Sequence, residues 1–236
     1  MKIGIIGAMN EEVKILKNKM INTESKMIAN SDFCIGYIDG VEIILVQSGI
    51  GKVQAAIAAT ILSEKYHPDM IINTGSAGVI GKNLTIGDIV ISKELAYHDV
   101  DATAFGYAYG QLPQQVKRFS ANKKLIAQVE KAANKFSLKT RVGLIVSGDQ
   151  FIASEKQKYN ILKHFPDALA SEMEGTAIAQ VALQFEIPFV VIRAMSDVGD
   201  EKAGVSFDDF IIEAGKRSAL MVIQLIQEVS DKQLTN

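Results

Sequence analysis

Six times along this chain an apolar run of strand length breaks off into glycine, hydroxyl and acidic residues: GAMNEE, SGIGK, NTGSAG, SGDQF, SEMEG and RAMSD. Helical spacing follows most of these breaks. Strands that alternate with helices imply a largely parallel or mixed sheet covered on both faces. In such sheets ligands bind beyond the carboxyl ends of the strands. Functional residues are therefore expected at the breaks.

KIGIIGA (Lys2–Ala8) reads as a buried strand and EEVKILKNKM as a helix. FCIGYIDGVEIILVQ reads as two strands around Asp39-Gly40, a favoured hairpin turn that makes the sheet mixed. VQAAIAATILSEKY reads as an Ala-rich helix ended by His67-Pro68, MIINTGSAG as a strand running into a glycine turn, and DIVIS as another strand. A long polar and aromatic loop is expected from Lys93 to Phe119. NKKLIAQVEKAANKF reads as a helix capped by Asn122. RVGLIVSGDQF then reads as strand and turn, EKQKYNILKHF as a helix, and the segment before SEMEG as a strand. PFVVIRAMSD is a buried strand beginning at Pro188, and SFDDFIIEAGKRSALMVIQLIQEV a long amphipathic helix. No repeat, low-complexity tract or linker interrupts this alternation, so one domain is expected over residues 1–236.

With a formal charge of -2, the chain does not offer broad electrostatic binding to nucleic acid or an anionic membrane. Cys34 is the only cysteine, so no internal disulfide is possible, which suits a reducing compartment. The apolar run at the start meets acids before it reaches signal-peptide length, and no stretch is long enough to span a bilayer. A cytoplasmic location is expected. His67, His98 and His164 show no ligand spacing with one another or with Cys34, so no metal site is expected.

KIGIIGAMNEE, SGIGKVQAA, INTGSAG, GDIVIS, YHDVDATAFGYAYGQLP, SGDQF, SEMEGTAIA and RAMSD together resemble the bacterial 5'-methylthioadenosine/S-adenosylhomocysteine nucleosidases of the nucleoside phosphorylase superfamily. The resemblance runs from Met1 into the C-terminal helix. It implies a three-layer α/β/α sandwich with a central mixed sheet, a homodimer, no cofactor and no metal. It also implies irreversible hydrolysis of the adenine–ribose bond of methylthioadenosine, S-adenosylhomocysteine and 5'-deoxyadenosine, in methionine salvage and the recycling of S-adenosylmethionine by-products.

Cleaving an N-ribosidic bond builds positive charge on the ribose and negative charge on the departing base. Glycosidases meet a similar demand with paired carboxylates. By resemblance, Asp197 is the acid that protonates the purine, which requires a pKa raised by burial. Ser196 and Asp197 are equally good helix-capping types. Glu12 resembles the general base for the attacking water, with Arg193 and Ser76 holding that water or orienting Glu12. As an acid in a first helical turn, Glu12 is also explained by the helix dipole. A charge inside FVVIRAM needs a partner if buried, and a site carboxylate would serve Arg193.

Glu174 resembles the residue that takes both ribose hydroxyls, two acceptor oxygens for two vicinal donors. If the strand continues, Glu172 and Glu174 share a face; Glu172 is then a water or arginine partner, and Met173 packs on the sugar. Both acids could instead cap the following helix. Phe151 resembles the residue that stacks on adenine, with the Ile152 backbone reading the purine edge and Gly78 beside the site. Met9, Ile50 and Phe207 resemble the wall around the 5'-alkylthio group. Phe105 and Pro113, in an aromatic loop over Val100–Pro113, resemble residues that complete that wall in the other subunit. An aromatic patch on a surface loop calls for a partner on its own account.

Two rival functions remain. SGIGK lacks the full phosphate-loop spacing, with Val53 where Ser or Thr is needed, but a phosphorylase of the same superfamily would use phosphate in place of water. Glu11 and Glu12 in the first loop would repel that dianion. A non-catalytic adenosine-binding protein would not need Glu12 as a base.

Overall fold

The computed structural model describes residues 1–135 and 138–234. Ten strands form one mixed sheet. They are β1 (Lys2–Gly7), β2 (Ile21–Ile28), β3 (Ser31–Ile38), β4 (Val41–Gln47), β5 (Met70–Val79), β6 (Ile89–Tyr97), β7 (Phe119–Ser120), β8 (Thr140–Ser147), β9 (Ala168–Glu172) and β10 (Phe189–Asp197). Parallel pairing joins β4, β1, β5 and β10, and the apolar β1 and β5 lie buried between neighbours. The β3–β4 hairpin turns at Asp39 and Gly40, both at positive φ, so that Ile38 faces Val41.

The α-helices are α1 (Asn10–Lys19), α2 (Lys52–Ile61), α3 (Lys123–Asn134), α4 (Glu155–His164), α5 (Gly175–Gln184) and α6 (Ala203–Leu234). α6 packs on β10, β5, α1 and α3, while α2 packs with α5, which gives the expected layers on either side of the sheet. Asn122 caps α3 as expected, its side chain accepting from the N–H groups of Lys124 and Leu125. Phe136, the last residue of that expected helix, lies outside the described residues.

Within the expected mixed sheet, β5, β10, β6, β8 and β9 pair in a ring, since β9 bonds to both β8 and β5. Several other expectations need correction. The glycines of NTGSAG are not a turn; β5 runs through them to Val79. DIVIS extends to Tyr97, so the long loop starts at His98 rather than Lys93. α6 starts at Ala203, three residues before the expected Ser206. The edge strand β2 had no alternating signal because nearly all of it is exposed. No described helix is long and apolar enough to cross a membrane.

Candidate active site

The carboxyl ends of β1, β5, β9 and β10 open onto a pocket of about 700 Å³, within the usual range for small-molecule sites. Its lining includes Met9, Glu12, Ile50, Ser76, Gly78, Phe151, Glu172, Met173, Glu174, Ser196, Asp197 and Phe207. The described lining contains four buried or nearly buried carboxylates and no Lys or Arg side chain.

Glu12 stands at the third position of α1 and is 2% exposed. Its Oε2 accepts from the N–H groups of Ala8 at 2.8 Å and Met9 at 3.1 Å. Its Oε1 accepts from Ser76 N–H at 2.9 Å and from the Ser76 hydroxyl at 3.1 Å. Glu12 therefore closes the start of its helix and bridges α1 to β5 as well. Both the local reading and the site reading of this residue describe real contacts.

Glu172 and Glu174 do not share a strand face. β9 ends at Glu172, and Glu174 starts α5 at φ -132° and ψ -39°. Only Glu172 caps that helix: its Oε2 accepts from the N–H groups of Glu174 at 3.0 Å and Gly175 at 2.7 Å. Glu174 reaches across instead, accepting from Gly51 N–H at 2.9 Å. Burial first, and then the Glu172 carboxylate, push the Glu174 carboxyl above its usual range against the pull of Arg193.

Arg193 is fully buried behind these acids. It pairs with Glu172, lies 3.5 Å from Glu174 Oε2 and donates to Asn73 Oδ1 at 2.8 Å. Ser147 donates to Glu172 from the other side. The ion pairs of Arg193 go to Glu172 and Glu174, the site carboxylates expected to serve it, while its Nη1 and Glu12 Oε1 both crowd the space beside Gly75. Its Nε and Nη1 have no hydrogen-bond partner among the described residues.

Asp197 is 2% exposed and shares the pocket wall with Ser196. Adjacent strand residues normally point to opposite faces. Here a bulge intervenes: Met195 faces Ala77 and Asp197 faces Gly78, with Ser196 extra. A bulge of this kind re-aims side chains. Asp197 does not cap α6; its Oδ1 accepts from Gly199 N–H and its Oδ2 from the Ser196 hydroxyl, both at 3.0 Å. Burial pushes its carboxyl above the usual range, with Asp200 adding to the shift and the Gly199 and Ser196 donors opposing it.

The strand glycines now have a reason. A Cβ at Gly75 would lie 2.5 Å from Glu12 Oε1, and one at Gly78 would lie 2.7 Å from Asp197 Oδ1. Glycine lets the two carboxylates come down onto β5. Gly75, Asn73 and Ser147 were not singled out in the sequence, although a polar Asn73 within an apolar strand was a signal.

Phe151 and Phe207 meet edge to face at 5.8 Å, and Phe151 stays half-exposed over the opening. Ile152 does not line the pocket; its side chain packs in a second core cluster with Ile80 and Val146. Phe105 and Pro113 do not line it either. Phe105 is 82% exposed, in a single turn at Thr103–Phe105.

Mixed sheet, flanking helices and a pocket at these strand ends define the class: the chain belongs to the phosphorylase superfamily, which it matches over residues 2–227. Within that superfamily it belongs with the 5'-methylthioadenosine/S-adenosylhomocysteine nucleosidases. It is 49% identical to the one from Staphylococcus haemolyticus, over 95% of this chain and 99% of the relative. It is likewise 49% identical to a Staphylococcus aureus counterpart, over 96% of this chain and all of the relative. The crystal structure of the Neisseria meningitidis nucleosidase in complex with methylthio-immucillin-A superposes with a TM-score of 0.95 at 45% identity, covering 96% of this chain and 99% of that one.

Proposed function

We propose that this chain hydrolyses the N-ribosidic bond of 5'-methylthioadenosine and S-adenosylhomocysteine, releasing adenine and the 5-substituted ribose. The observation that carries this reading is an apolar pocket whose floor holds Glu12, Glu174 and Asp197, all buried, with no cationic side chain on its described lining. Asp197, with its raised pKa, protonates the purine as the bond breaks. Glu12 takes the proton from the attacking water. Glu174 receives the ribose hydroxyls, held at one oxygen by Gly51 and backed by Arg193. Phe151 covers the base, while Met9, Ile50 and Phe207 hold the 5'-alkylthio group.

Water is favoured over phosphate on electrostatic grounds. A phosphate dianion needs charged or N–H donors. Two of the N–H groups at the start of α2 are already taken by carboxylates: Gly51 donates to Glu174, and Lys52 donates to Asp149 at 2.8 Å. Adenine release from methylthioadenosine should therefore proceed equally with and without phosphate. Methylthioribose-1-phosphate as the main sugar product would overturn the reading.

The same proposal includes one domain, a cytoplasmic location, 5'-deoxyadenosine as a further substrate and a two-fold homodimer. The exposed Phe105 supports the dimer, because a large apolar side chain on a loop gains from a partner surface. In that dimer Phe105 and Pro113 close the neighbour's alkylthio pocket. Burying a Phe contributes about 1.5–3 kcal/mol, so Phe105→Ala should weaken methylthioadenosine binding by roughly 10- to 150-fold. Adenosine, which lacks the alkylthio group, should be affected less than about twofold. A stable, fully active monomer in sedimentation at assay concentration would rule out the shared pocket.

A further inference from the structure

Lys52 closes the SGIGK segment, and its charged side chain is the part of that segment to which the proposed chemistry gives no role. It does not face the pocket. Its Nζ lies 2.6 Å from Asp99 Oδ2 and 3.7 Å from Asp149 Oδ2, and sits over the Tyr97 ring at 5.4 Å. Each contact belongs to a different piece of the site's surroundings. Asp99 is at the root of the aromatic loop. Asp149 lies two residues before Phe151, and its N–H donates to the same Asp99 oxygen at 2.9 Å. Tyr97 donates to Gln180 of α5, the helix that Glu174 starts, at 2.7 Å. The Lys52 backbone N–H also holds Asp149, and the residue before it, Gly51, holds Glu174.

We propose that Lys52 is a positioning residue: its ammonium ties the start of α2, the root of the aromatic loop and the Phe151 turn into one unit. That unit keeps Gly51 N–H on Glu174 and Phe151 over the opening. The side chains of Lys52 and Asp99 are only 22% and 12% exposed. Such a pair is less screened than a surface ion pair. Without the ammonium, two carboxylates would face each other across one N–H, which favours separation of the Asp99 and Asp149 segments. Burial pushes Asp99 up, but Lys52 and the Asp149 N–H outweigh it and hold the carboxyl below its usual range.

The kinetic consequence rests on the nucleosidase reading. Glu174 and Phe151 are binding contacts there, so Lys52→Met should raise KM for methylthioadenosine by roughly five- to tenfold, with kcat falling less than about threefold. A merely structural loss would lower the active fraction, and with it kcat, at unchanged KM. Lys52→Arg keeps a cation within reach of both carboxylates and should restore KM to within about twofold of wild type. Hydrogen exchange reads the tie without any turnover. In Lys52→Met the amides of residues 49–52 and 148–151 should exchange roughly tenfold faster, with β1 and β5 unchanged, and Lys52→Arg should restore them. Unchanged exchange in those two segments overturns the proposal, whatever the kinetics. Faster exchange there with unchanged KM also overturns it, because the tie would then not reach the site. If wild type releases no adenine, the nucleosidase reading fails and exchange alone decides the role of Lys52.

Discussion

Asp197→Asn should cut adenine release by about 10²–10⁴-fold in kcat, the usual worth of a positioned acid, and leave the fold intact. The amide oxygen can keep the Gly199 N–H, and the Ser196 hydroxyl can turn to accept from the amide where it now donates to Oδ2. What disappears is the proton for the purine. A ribosyl substrate whose leaving group departs without protonation should lose far less. Equal losses on both substrates would remove Asp197 from the acid role.

The pH dependence of stability gives a second check on the same variant. A buried carboxyl with a raised pKa keeps its proton where the unfolded chain, titrating near 3.8, has released it. Its contribution to stability is therefore largest below that value and declines as pH rises through the folded-state pKa. Wild type should lose stability, and kcat, as pH climbs through that window. Asp197→Asn should lack the Asp197 share of both slopes, the raised Glu174 carboxyl supplying what remains of the stability slope, and should match or exceed wild type in Tm above the window. An unchanged stability slope in the variant would mean that Asp197 is not the group being titrated.

The strand ends were legible in the sequence because an apolar run must stop where the backbone leaves the sheet, and hydroxyls, acids and glycines mark those stops. They pointed to the segments that hold Asp197, Glu12 and Glu174, while the choice of these three acids and their roles rested on the family resemblance. The role of each glycine was not legible. Gly75 and Gly78 look like turn residues until Arg193 and Asp197, more than a hundred positions later, are seen opposite them in β10. Pairing across such a separation leaves no local trace. The same holds for Arg193, whose need for a carboxylate was evident from its apolar neighbours while the choice of Glu172 over Glu12 depended on packing. The ring of strands rests on two residue pairs between β9 and β5, too short a ladder to leave a periodic pattern. The division of labour between Glu172 and Glu174 turned on where one strand stops.

Glu12→Gln should cut turnover severely and also lower stability. Four donors converge on this carboxylate: the N–H groups of Ala8, Met9 and Ser76, and the Ser76 hydroxyl. An amide offers one acceptor oxygen. Turned toward Ala8 and Met9, that oxygen satisfies two donors and leaves the amide nitrogen facing Ser76. The hydroxyl there can reverse and accept, but Ser76 N–H cannot. One buried N–H without a partner costs about 1–3 kcal/mol, or roughly 2–12 °C in Tm for a chain of this size. In the proposed reaction the same inventory offers water a route to Glu12. The Ser76 hydroxyl is the one donor of the four that can rotate away, so an attacking water would take its place on Oε1. In the variant that water meets an amide that cannot accept its proton, and kcat should fall by about 10²–10⁴-fold. Asp197, Glu174 and the apolar wall stay in place, so calorimetry well below the Tm should show nearly unchanged nucleoside affinity. Loss of binding in a folded variant would make Glu12 a binding residue, and retained turnover would move the base elsewhere.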